Sequence, residues 1–289
     1  MKEPSTIVSE TEIVIEPSRG FHLFSWRDLY AYRDLLWLLV WRDFAARYKQ
    51  TILGPLWFII QPLLMTLVFT VVFGKFAGIK TPGTPPILFY LCGLLAWNYF
   101  AQTFQSTSST LVTNAGIFSK VYFPRLIVPL SSVISNLAAL AIQLVTFGAV
   151  YGAYAAIGMP DDDTGLRWQV IFLPLVVLQV AALGLGIGLW LAALTTRYRD
   201  FTVLAGFLLQ LWLYGTPIIY PLQNVPLAWK FAVELNPMTM PVETFRFALL
   251  GAGSPEPRLI ILSAVVTIAC LITGLVAFKR VERTFVDIA

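Results

Sequence analysis

Charge is scarce in this chain of 289 residues: Asp, Glu, Lys and Arg make up 12% of it, against about 25% in soluble domains. Six apolar stretches, at about 56–74, 87–111, 126–156, 169–194, 202–220 and 259–278, contain none of the four. A water-soluble core of this size cannot hide 57% hydrophobic residues at a mean hydropathy of +0.74, whereas a bilayer removes that constraint. Histidine occurs once, as His22, with no Cys or second His beside it, so no metal site is expected. The two cysteines, Cys92 and Cys270, sit inside apolar stretches and read as buried thiols rather than a disulfide framework. No GxxxxGK[ST] run is present, so the chain cannot cradle a nucleotide in a P-loop. A net charge of only +4 gives nucleic acid little to bind. No apolar segment with a small-residue cleavage site opens the chain, and the first membrane helix is expected to act as an uncleaved insertion signal.

The absence of ionisable groups also bears on energy. Proton-coupled pumps carry such groups at mid-membrane, because something must take up the proton. Their absence disfavours that route; sodium coupling through unwound backbone carbonyls stays open. If this chain moves a substrate uphill, a partner supplies the energy.

What is present fits an all-α, polytopic membrane protein. The six stretches are each long enough for helices crossing ~30 Å of hydrocarbon. Ahead of them, residues 25–52 repeat apolar Leu29, Tyr32, Leu36, Leu39, Val40 and Phe44 at helical spacing, interrupted by charges too often for a span. With Trp26, Trp37 and Trp41 suited to the headgroup layer, this reads as an N-terminal amphipathic interface helix on the membrane surface. Gly54-Pro55 is expected to break it and turn the chain into the bilayer. Residues 1–24 read as a tail, and 53–289 as the transmembrane domain. Between the last two spans, 221–257 is rich in Pro and Gly and moderately apolar, which suggests one or two short external re-entrant helices.

Lys and Arg set the orientation. With six spans and both termini cytoplasmic, fourteen of the twenty basic residues fall in cytoplasmic segments. Lys75, Lys80, Arg167, Lys230, Arg246 and Arg258 remain outside, beside the loop acids Asp161 to Asp163. Two cytoplasmic loops offer docking surfaces. Residues 114–126 mix aromatics with Lys120, Tyr122, Pro124 and Arg125, and 195–200 form a tight basic turn with Arg197, Tyr198, Arg199 and Asp200. Aromatics and Arg are enriched in protein–protein contacts; ordinary positive-inside anchoring is the alternative.

Three stretches then carry a resemblance. RYKQTILGPLWFIIQPLL (47–64), YRDFTVLAGFLLQLWLYGTPIIYP (198–221) and NPMTMPVETFRFALLG (236–251) resemble, in order and spacing, the ABC-2-type permeases that export polysaccharides and polyol phosphates. The resemblance runs over nearly the whole chain from Trp26. It implies a homodimer bound to two copies of a separate P-loop ATPase, contacted through 26–50 and 114–126. ATP and Mg are then held by that partner, with no cofactor in this chain. The implied substrate is a glycan on a polyprenyl pyrophosphate, with O-antigen as the leading choice and capsule or teichoic acid as alternatives within the family. A bacterial inner membrane is the implied location.

Such a substrate needs cations at the cytoplasmic leaflet, and Arg42, Arg47 and Lys49 precede the first span there; binding of ordinary anionic lipid heads is the alternative. A sugar path calls for aromatic faces and neutral polar groups. Candidates are Trp57, Phe58, Phe69 and Phe73, then Tyr90, Trp97, Tyr99, Phe100 and Phe104, then Trp212 and Tyr214, each of which reads equally as interfacial belt or packing. Two other functions compete. A membrane enzyme acting on polyprenyl-linked sugars requires paired carboxylates, for which Glu234 and Glu243 are the only candidates. A drug permease of the same family requires a closed, narrow pocket.

Overall fold

A computed structural model describes residues 26–49, 51–81, 83–118, 123–158, 168–198 and 200–284. The expected tail, Lys120, Tyr122, Arg199 and Asp161 to Asp163 lie outside them. The described residues are helical throughout their regular structure, without strands. The N-terminal segment is a short helix α1 (Trp26–Ala31) followed by α2 (Arg33–Tyr48). A single turn at Gly54–Leu56, with Gly54 at φ +48° and Pro55 preset for a helix start, then leads into α3 (Trp57–Phe69). This helix carries Pro62 inside it and loosens into a π-helical stretch at Thr70–Phe76.

Next come α4 (Pro86–Ser108), two single turns α5 (Thr110–Thr113) and α6 (Ala115–Phe118), and α7 (Ile127–Ala156). A 3-10 turn at Trp168–Phe172 leads into α8 (Leu173–Thr195), and then α9 (Asp200–Gly215). Two short helices, α10 (Leu227–Leu235) and α11 (Thr239–Leu250), precede the last long one, α12 (Pro257–Thr284).

Among the described residues, five segments are long and apolar enough to cross a membrane: Gly54–Phe76, Pro86–Ser108, Ile127–Ala156, Trp168–Thr195 and Pro257–Glu282. The remaining expected span, 202–220, is the 16-residue α9, about 24 Å long at 1.5 Å per residue. It stops at Gly215 because Pro217 has no N–H to give and disfavours a helical residue before it. Residues Thr216 to Ile219 are nonetheless buried.

Burial shows which helix is central. In the apolar stretch of α4, 78% of residues are buried, against 17% in the first and last spans. Around α4 pack α7, α8, α3, α9 and α11, and α8 packs in turn on α12. The tightest approaches come from the run LGLGIG in α8. Gly184 and Gly188 face α4: a methyl group there would meet Thr103 at 3.0 Å and Thr107 at 2.6 Å. Gly186 faces the other way, where a methyl would lie 2.7 Å from the Leu271 backbone; one on Gly274 would lie 2.1 Å from the Gly186 carbonyl oxygen. Small residues at 3–4 spacing let membrane helices pack backbone to backbone, and here one helix does so on two sides.

Candidate functional site

The bundle has two polar ends. One is built on α2. Its buried face sets Leu39 against Phe123, Ile127 and Val128, flanked by Leu35, Leu36 and Phe118. α2 and the loop residues Ile117, Phe118 and Phe123 are thus one packed unit at the start of α7. Opposite that face, Trp37 and Trp41 of α2 are exposed, as is Tyr30 of α1. Polar bonds reinforce the docking. Arg42 Nη2 bonds Asp43 at 2.7 Å and donates to Asn114, while Asp43 Oδ2 accepts from the Ser131 and Ser132 hydroxyls at 3.3 Å. Arg47 reaches further: Nη2 donates to Asn136 Oδ1 on α7 at 2.5 Å and Nη1 to Gln102 Oε1 on α4 at 3.4 Å. Asn136 Nδ2 turns to Thr103 and Ser106 on α4, both at 3.4 Å. Of the three cations read as phosphate ligands, Arg42 and Arg47 are therefore tied to neighbouring helices, and Lys49 is exposed at the end of α2.

The same end gathers the described loop residues. The Arg125 backbone N–H donates to Glu282 Oε1 at 3.3 Å, bringing the end of α12 to the loop, and the Arg125 guanidinium lies 5.6 Å from the Phe118 ring. Thr195 donates to the Ser108 carbonyl, so the α8–α9 turn lies beside the end of α4. In that turn Arg197, Tyr198 and Asp200 are exposed, with Arg197 5.5 Å from the Tyr198 ring.

The aromatic candidates divide by position. Phe69, Tyr90, Trp97, Tyr99, Phe100 and Phe104 are buried in the protomer's core. They pack ring on ring: Phe69–Tyr90 at 6.1 Å, Trp97–Phe100 at 5.4 Å, and Phe100–Trp212 at 5.0 Å. Phe58, Phe73 and Trp212 are half-buried, while Trp57 and Tyr214 are about half exposed, at 49% and 51%.

At the opposite end, two residues absent from the sequence-based site hold the broken segment after α9. Asn236 Oδ1 accepts from Trp212 Nε1 at 2.8 Å and from the Met238 N–H at 3.0 Å. Its Nδ2 donates to the Gly215 carbonyl and to Thr216 Oγ1. Arg246, counted by sequence among the external basic residues within the short-helix segment, is fully buried on α11. It donates to the Pro217 and Ile218 carbonyls and to Glu243 Oε1 at 2.9 Å, and its guanidinium lies 3.7 Å over the Phe89 ring. Glu243 Oε2 accepts from the Ser254 N–H. Buried non-helical backbone needs hydrogen-bond partners from the protein, and Arg246 supplies them to Pro217 and Ile218. The signal was available, since Glu and Arg three apart on a short helix are neighbours.

These placements leave the enzyme reading without its carboxylates. Glu234 pairs with Lys230 at 3.6 Å, and Glu243 is enclosed with Arg246. Among the described residues no group of three His, Cys, Asp or Glu converges as a metal site.

The model of the ABC-2 type transporter membrane domain matches residues 34–250. The chain belongs to the ABC-2 type transporter family. Similar proteins include the O-antigen export system permease protein RfbA of Myxococcus xanthus, 29% identical across 90% of this chain and 97% of that protein. The RfbA permease of Klebsiella pneumoniae is 26% identical across 88% and 95%. The polysialic acid transport protein KpsM of Escherichia coli is 23% identical across 84% and 91%. This ABC-2 chain is accordingly a multi-pass, non-catalytic permease subunit of an ABC exporter, a kind of subunit that works with an ATPase partner.

Proposed function

We infer that this permease exports a polysaccharide carried on polyprenyl pyrophosphate, O-antigen first among the choices, across the bacterial inner membrane. The carrying observation is the end-to-end similarity to two proteins named as O-antigen export permeases, covering 97% and 95% of their lengths. In this reading two copies of the chain assemble with two copies of a P-loop ATPase that holds ATP and Mg. Both termini lie in the cytoplasm, so the α2 end faces the ATPase. Pro124, Arg125, Arg197, Tyr198 and Asp200 then form the coupling surface, together with Lys120, Tyr122 and Arg199. Physical support comes from the spans themselves: the absence of ionisable residues from the six apolar stretches disfavours proton coupling and fits energy delivered by a partner.

The substrate's pyrophosphate is received by Arg42, Arg47 and Lys49. Gln102 and Asn136 hold Arg47 through neutral amide oxygens, and anionic phosphate oxygens are stronger acceptors for the same guanidinium. The glycan passes over the accessible aromatics Trp57, Phe58, Phe73 and Tyr214, while the buried rings of α4 shape the path from behind. Capsule export is the second reading, favoured by the similarity to KpsM.

The test is reconstitution of the permease with its ATPase in proteoliposomes, following ATP-dependent translocation of a polyprenyl-pyrophosphate glycan. Translocation is expected, and Arg125→Glu should abolish it while leaving insertion intact. ATP-driven movement of small hydrophobic drugs, with none of the glycolipid, would contradict the reading.

A further inference from the structure

The Glu243–Arg246 pair is the most deeply enclosed charge in the described structure. The Glu243 and Arg246 side chains are 3% and 0% exposed, and the pair touches three other pieces of chain. It sits on α11. The guanidinium caps the Pro217 and Ile218 carbonyls in the break after α9, and lies 3.7 Å over the Phe89 ring of α4. The carboxylate holds the Ser254 N–H in the turn that leads to α12. The surroundings are cut to fit. A methyl group on Gly93 of α4 would stand 2.9 Å from Arg246 Nη2. One on Gly253, at φ +111°, would stand 2.8 Å from the Glu243 carbonyl oxygen.

Burying an ion pair is costly, and a pair of well-packed apolar residues would commonly serve stability as well. Stability alone therefore does not account for a charge pair at this position. What apolar side chains cannot do is donate to the open carbonyls of a broken membrane helix or set the angle at which α11 meets it.

We propose that Glu243 and Arg246 are positioning residues for export. They lock the break after α9, α11 and the entry to α12 onto the start of α4 as one body, so that force applied at the α2 end through α4 reaches the far end of the path. The proposal rests on the export reading. Neither residue touches substrate in this account.

The experiment uses the reconstituted permease–ATPase complex and reads glycolipid exported per ATP hydrolysed, at matched membrane levels of protein. Arg246→Lys keeps the charge but loses the planar fork that reaches two carbonyls and a carboxylate together. Gly93→Ala disturbs the same guanidinium from another helix without changing charge. Each should keep ATP hydrolysis and lower export per ATP about tenfold, the scale of one lost charge-assisted hydrogen bond. The double variant should be no worse than the poorer single one, because both act through one lock. If Arg246→Lys does not accumulate, Gly93→Ala decides alone.

Wild-type export per ATP in the single variants, or losses that multiply in the double, would overturn the proposal. A second readout is independent of transport. With Cys92 and Cys270 replaced by Ala, a cysteine introduced at Ile219, which is 3% exposed, should resist an impermeant maleimide. It should react at least about tenfold faster when Arg246→Lys is added, again the scale of one lost charge-assisted bond. Unchanged labelling would remove the lock even if the exporter reading stood. Faster labelling in a complex that exports nothing would keep the lock and fail the exporter reading.

Discussion

The two polar ends of this permease hold arginine in opposite ways. At the α2 end, Arg42 and Arg47 bond the side-chain oxygens of Asp43, Asn114, Gln102 and Asn136, and all of these bonds are only partly buried. At the α11 end, Arg246 is sealed from solvent and bonds main-chain carbonyls together with one carboxylate. Side-chain amides can rotate and exchange partners; carbonyls of a broken helix cannot. The first arrangement suits a surface that meets ligands and a moving partner, and the second suits a fixed joint.

That contrast can be broken at its strongest point first. Replacing Arg246 with Met leaves Glu243 buried without its partner and strips donors from the Pro217 and Ile218 carbonyls. A destabilisation of ~3–5 kcal/mol is expected for one lost member of a buried pair, read as a steep fall in melting temperature of the detergent-purified protein. A variant as stable as wild type would mean that water reaches this end.

The spans that frame both ends were legible because apolar runs near 20 residues have no other use, and five of the six expected spans are helices of spanning length at nearly the expected bounds. The early stop of α9 was partly legible in Pro217. Its burial was not, since Arg246 donates from 28 residues away in sequence. Charge counting placed Arg246 among the external basic residues because composition cannot separate an exposed arginine from one enclosed by Phe89, Gly93 and Glu243. The rings of α4 posed a similar difficulty. Aromatics that line a path and aromatics that pack a core have the same spacing, and only burial tells Tyr90 and Phe100 from Trp57 and Tyr214. The docked unit of α2 with residues 114–126 was foreseen only as two separate surfaces. The sequence showed each apolar face without showing that one covers the other.

A middle-sized effect belongs to the α2 end. Asn136→Leu removes one acceptor of Arg47 and its links to Thr103 and Ser106. A loss of ~1.5–3 kcal/mol, typical of a hydrogen bond to a charged group, should loosen α2 without unfolding the spans. Hydrogen exchange across residues 33–48 would then quicken while exchange in α11 stays slow; equal quickening at both ends would erase the distinction. The smallest effect is Asp43→Asn. That carboxylate sits beside Arg42, whose side chain is 37% exposed, and exposed pairs contribute below ~1 kcal/mol. Its melting temperature should stay close to wild type, and a shift as large as that of Arg246→Met would show that the α2 end is sealed as well.

The most direct test of the central claim is purification of the tagged permease from its own host in mild detergent, followed by mass spectrometry of what accompanies it. A P-loop ATPase in equal amount with the permease is the predicted result. A permease that purifies alone, from a membrane where it nonetheless moves glycan, would contradict it.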